Sequence, residues 1–175
     1  MPKTATKASN NEFYKARMSA VSFNDRLGSR EGASEEIGID RTRLAKIELG
    51  TINPYPEEVL MIADVYNTPE LMNHYCSKMC PLGKRTVPPA EMRSIDRLTI
   101  QVVTVLNEAN TISSSLLDIA KDGKVTPNER EQMIEIAAAL EQIAITAQEV
   151  KMWVTKHLKC DANKYTDCGN SRLER

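Results

Sequence analysis

The chain has only two histidines, His74 and His157, one in each half. No glycine-rich phosphate loop and no paired glutamate–histidine metal motif goes with them. No catalytic constellation emerges, so a non-enzyme without a cofactor is expected. Glycine and phenylalanine are scarce, at seven and two residues, while Ala, Leu, Ile, Glu and Lys abound, which favours helix. No apolar run approaches the ~20 residues that span a bilayer. The opening MPKTATKASNNE lacks the apolar core of a signal peptide. A cytoplasmic protein with no membrane partner is therefore expected. Charge of one sign is also missing. Residues 1–80 hold ten Lys and Arg against eleven Asp and Glu, and residues 81–175 hold thirteen of each. Any surface built for a polyanion must then arise from uneven distribution, with acids such as Glu57, Glu58 and Asp64 turned away.

Against this background one stretch stands out, REGASEEIGIDRTRLAKIELG, from Arg30 to Gly50. Small Ser34 is its fifth residue, where two short helices could touch. Gly38 is its ninth and can take φ > 0 in a turn. Leu44 and Ile47, three apart, share one helix face. Arg41, Thr42, Arg43 and Lys46 are left for the other faces. A turn-linked helix pair with a basic second helix is the pattern by which helix-turn-helix proteins read DNA.

The surroundings read as a helical domain over residues 11–80, after a mobile N-terminus at 1–10. A first helix is predicted from Asn11 to about Leu27, ended by Gly28. Ser29 caps the second helix and Asp40 the third. Pro56 opens a fourth, PEEVLMIADVY, with Val59, Leu60, Ile62 and Ala63 apolar, and Thr68-Pro69-Glu70 introduces a fifth. Residues 81–90, with Pro81, Gly83, Pro88 and Pro89, read as a linker.

Residues 13–80 resemble the Cro and lambda-repressor-type (XRE-like) regulators. SREGASEEIGIDRTRLAKIELG matches the family's paired helices ending in Ile-Glu-x-Gly, and NPYPEEVLMIADVY matches the helix that follows. The resemblance implies a five-helix DNA-binding domain acting on double-stranded DNA. Carried over, Arg41, Thr42 and Lys46 would reach base edges, with Arg43 beside them. Arg30 would clamp a phosphate, as would Thr51 and Asn53 in the following loop. Glu48 would be structural and pair with an arginine of the first helix, Arg17 being the candidate.

Residues 91–159 carry a different signal. Ile95, Leu98, Val102, Val105, Ala109, Ile112, Leu116 and Ile119 recur at alternating spacings of three and four. Met133, Ile136, Leu140, Ile143, Ala147, Val150, Val154 and His157 repeat the pattern. These are heptads on two long helices, expected as an antiparallel hairpin. Leu106, Leu117, Ile134, Ala137, Ile145, Met152 and Trp153 widen the stripe beyond one seam. A second copy would cover it as a four-helix bundle, with Leu98, Val102, Val105, Ile112, Leu116, Ile136, Leu140, Ile143, Val150 and Trp153 at the dimer interface. The fold class expected is thus all-α, and the function that of a dimeric transcriptional regulator, a repressor. The alternative is a protein-interaction module, such as an antitoxin or adaptor, whose hairpin binds a partner protein. Residues 160–175 read as a disordered tail.

Two further motifs have simpler explanations. Asp118 to Glu129 has the spacing of a calcium loop, but Ala120 stands where a carboxylate ligand belongs, and an Asp-Gly turn with a capped helix accounts for the residues. Cys76, Cys80, Cys160 and Cys168 could suggest a zinc or redox site, but no close C-x-x-C pair is present. Packing thiols account for them, and no metal is expected.

Overall fold

The computed structural model describes residues 8–121, 126–127 and 129–158, which form helices and turns without a strand. The chain divides into two units, Met1–Pro89 and Ala90–Arg175. No described helix is long and apolar enough to cross a membrane. The expected tail at 160–175, with Cys160 and Cys168, lies outside the described residues, as do 1–7 and 122–125.

In the first unit, side-chain caps set the helix starts. Asn11 accepts from the Phe13 and Tyr14 amides at 2.9 and 3.3 Å and starts α1, Glu12–Ala20. Just before it, residues 8–10 form a turn in which Ala8 is buried, rather than a free end. Nor does the first helix reach Leu27. It stops at Ala20, whose carbonyl accepts from the Phe23 and Asn24 amides. Asn24 then caps a 3₁₀ turn, Asp25–Gly28. Such side chains offer the backbone local bonds that compete with helix. The break folds Leu27 back into the core.

Ser29 caps α2 (Arg30–Ile37) by accepting from the Gly32 amide, and Asp40 caps α3 (Arg41–Glu48) by accepting from the Arg43 amide. Gly38 joins them at φ 81°, a left-handed conformation in which a Cβ is strained. Next come α4 (Pro56–Val65) and α5 (Glu70–Lys78). Their apolar faces meet the first three helices through Phe13, Leu44, Ile47, Val59, Ile62, Tyr66 and Leu71. Leu60, expected on that face, is exposed. The stretch expected as a linker forms a one-turn helix, α6 (Gly83–Thr86), followed by chain anchored to α5, where Asn73 Nδ2 donates to the Pro88 carbonyl. Gly83 permits the approach of α6: a Cβ there would stand 2.2 Å from the Cys76 carbonyl oxygen.

The second unit is made of α7 (Ile95–Ala120) and α8 (Glu129–Leu158). Gln101 meets Thr146, while Ile112 and Ile119 pack with Ile136, so the helices run antiparallel. Along α7 the buried positions are Leu98, Val105, Ile112 and Ile119, every seventh residue. On α8 the heptad does not hold. Leu140, Ala147 and His157 are exposed, and after Ile143 the buried positions are Thr146, Glu149 and Met152. Polar groups explain the change. Gln101 Nε2 donates to Thr146 Oγ1 at 2.9 Å. Glu149, 1% exposed, accepts from the Glu91 amide and from Arg93 Nε. A buried carboxylate needs such donors, and they turn α8 away from its apolar repeat.

Gly32, inside α2, appears from sequence to weaken the helix, but a Cβ there would lie 2.2 Å from the Arg26 carbonyl oxygen. Gly32→Ala is therefore expected to lower the urea unfolding midpoint. The clash, about 1–3 kcal/mol for an overpacked site, opposes a gain in helix propensity of at most ~1 kcal/mol.

Candidate nucleic-acid interface

The α2–α3 pair is held at its turn by Ser34, whose Oγ donates to the Ile39 carbonyl at 2.6 Å. The small side chain expected only to permit contact also ties the helices together. Leu44 and Ile47 are buried beneath α3. Arg41, Thr42 and Lys46 lie exposed on its other side, and among the described residues neither Arg41 nor Lys46 has an ion pair.

Glu48, at the end of α3, is fully buried between two cations. Arg17 from α1 reaches it through Nε at 2.5 Å and Nη2 at 3.2 Å, and Arg30 from α2 through Nε at 2.6 Å. Arg17 Nη1 also donates to the Leu27 carbonyl at 2.8 Å. One carboxylate and two guanidiniums leave the cluster with one positive charge. Arg30, the partly exposed member, carries it outward. Burial, and then the Glu48 charge, push the nearby Tyr66 phenol far above its ordinary value, so it stays neutral.

Arg43 has surroundings that the sequence did not disclose. Its guanidinium holds Glu58 of α4 through Nε and Nη2 and lies 4.3 Å over the Tyr55 ring. Glu58 also accepts from the Tyr55 amide at 2.7 Å. Thus Glu58 is not turned away, and Arg43 is not a free cation but a strut between α3 and the loop before α4. The Arg43 bond holds the Glu58 carboxyl below the ordinary carboxylate range. The signal available in the sequence was Glu58 itself, three residues after Tyr55 at the start of a helix opened by Pro56. Thr51 is exposed, but its hydroxyl donates to the Lys46 carbonyl at 3.0 Å, closing the end of α3. Asn53 is exposed in the same loop.

The other candidate residues are placed differently. Leu98, Val105, Ile112 and Ile136 are buried within the chain's own helix pair, while Val102, Leu116, Ile143, Val150 and Trp153 are half-buried and Leu140 is exposed. Four of the ten residues expected at a dimer interface are thus buried within the chain's own seam. Trp153 stacks on His157, ring centroids 4.5 Å apart. Cys76 and Cys80 are free and half-buried, and the Gly83 amide donates to Cys80 Sγ. Asp118 pairs with Lys121, and Glu129 accepts from the Thr126 amide and hydroxyl. Among the described residues no group of three or more His, Cys, Asp and Glu side chains could hold a metal. Compared with protein-family models, curated proteins and solved structures, the chain gives no match.

Glu48→Ala strands the buried Arg17 and removes the partner of the half-buried Arg30, and is expected to cost about 3–5 kcal/mol in urea unfolding. Glu58 has a folded pKa below its unfolded one, so its contribution is complete above the ordinary carboxylate range. It is lost as pH falls through the lowered value. Thermal melts of wild type and Glu58→Gln should therefore differ most near neutrality and converge in acid.

Proposed function

We propose that this protein is a sequence-specific DNA-binding transcriptional regulator, a repressor of the XRE-like helix-turn-helix kind, acting as a homodimer on double-stranded DNA. One observation carries the reading. The α2–α3 pair buries Leu44 and Ile47 while leaving Arg41, Thr42 and Lys46 exposed together on one short helix. An α-helix with its side chains is ~10–12 Å across and fits the ~12 Å wide major groove, so α3 can present this side to base edges. Arg41, at its first position, suits bidentate pairing with guanine, and Thr42 and Lys46 lie beside it. Arg30 adds the residual charge of the Glu48 cluster at the edge of this face, where a phosphate would pass. Arg43 acts through position alone: by holding Glu58 and stacking on Tyr55, it sets the loop that carries Thr51 and Asn53. With so few free cations, one copy binds weakly, and two copies on adjacent half-sites supply the affinity.

The rival reading, a protein-interaction module such as an antitoxin or adaptor, is favoured by one observation: large apolar side chains stand exposed on α7. It requires binding through the second unit with no contribution from Arg41.

Fluorescence anisotropy on DNA selected from a random pool tests the proposal. Arg41→Ala is expected to weaken binding by 1–3 kcal/mol, roughly 5- to 150-fold. Arg97→Ala, in the second unit, should leave it unchanged. Equal affinities for wild type and Arg41→Ala would refute the assignment.

A further inference from the structure

The α7–α8 pair has a seam and two outer faces, and one of these faces has an unusual surface. Val103, Leu106, Asn110, Ser113 and Leu117 follow one another on α7 at spacings of three and four, a second stripe beside the buried one. Leu106 is 62% exposed, Leu117 67% and Val103 52%. On α8, Ala137, Leu140, Ala144 and Ala147 form a matching exposed stripe. At ~100° per residue both stripes are rotated in the same sense from their seams. In an antiparallel pair this brings them to the same face.

Two properties of the face bear on what covers it. The first is charge. Between Arg97 and Asp118, α7 has a single charged residue, Glu108. Its other polar positions there are Ser, Thr, Asn and Gln, though helices facing water are commonly laced with Lys and Glu. Depletion of charge marks the centre of interfaces. It also removes the repulsion that a charged surface would feel toward its own copy across a twofold axis. The second is size and relief. Two helices side by side, each ~10 Å wide and ~40 Å long, offer ~800 Å², the share each partner contributes to a standard stable interface. The bulky stripe is on α7 and the small one on α8. A twofold axis parallel to the helices lays the α7 stripe of each copy against the α8 stripe of the other, with Val103 about level with Ala144 and Leu106 with Leu140.

We infer that the face formed by Val103, Leu106 and Leu117 of α7 with Leu140 and the alanine stripe of α8 is where a second copy of this chain docks. The inference rests on the homodimer reading, but not on DNA binding. Of the residues expected at the interface it keeps Leu140, while Leu98, Val105, Ile112 and Ile136 are buried within each chain.

Light scattering after size-exclusion chromatography of the full chain tests it. Wild type should elute at twice the 19.6 kDa chain mass. Leu106→Glu and, separately, Leu140→Glu should elute at the single-chain mass with an unchanged circular dichroism spectrum, since both residues are exposed. Thr104→Glu, at an exposed position on the far side of α7 from Leu106, should remain dimeric. A monomeric wild type overturns the inference, and so does a Leu106→Glu dimer. Loss of the dimer in Thr104→Glu but not in Leu106→Glu assigns the other face and also overturns it. None of these results depends on whether Arg41 binds DNA, so the two readings fail separately.

Discussion

The first unit depends on the fully buried carboxylate of Glu48. Glu48 has no contact with water, and isolating its charge would cost several kcal/mol. It is tolerable only because Arg17 of α1 and Arg30 of α2 both reach it. Three helices must therefore arrive together. Arg17 extends the constraint by binding the Leu27 and Gly28 carbonyls, which fixes the 3₁₀ turn that follows the broken first helix. The orientation of α3, and with it the direction in which Arg41 and Lys46 project, follows from this cluster as much as from the apolar core.

The basic residues on and around α3 play different parts. Arg17 and Arg43 are structural: one is buried on Glu48, the other paired with Glu58 and stacked on Tyr55. Arg41 and Lys46 are unpaired and exposed, and Arg30 lies between, bonded to Glu48 but partly open. A protein with no net positive charge can present a basic surface in this way. Its carboxylates orient some arginines, while Arg41 and Lys46 stand without an ion pair on the exposed side of α3.

Much of this was legible because it is local chemistry. Ser29, Asp40, Gly38 and Pro56 announce helix ends through side-chain bonds or φ preferences that act within four residues. The inward pair Leu44 and Ile47 follows from helical period alone. What stayed hidden depends on partners distant in sequence. The first helix ends at Ala20 because Asn24 starts a different turn, although the residues beyond it would also suit a helix. Arg43 is indistinguishable from Arg41 by type, and only the approach of α4 separates them. In the second unit the apolar repeat continues through Leu140 and Ala147, yet Gln101 and Arg93 draw Thr146 and Glu149 into the seam instead. Hydrogen-bonding demand overrode periodicity there.

The central claim is that α3 reads DNA as one half of a twofold pair. Selection of bound sequences from a random double-stranded DNA pool tests it most directly. The account predicts enrichment of an inverted repeat whose half-sites are centred about one helical turn, or a whole number of turns, apart. Failure to enrich any sequence, or enrichment that persists unchanged with Arg41→Ala protein, would contradict it.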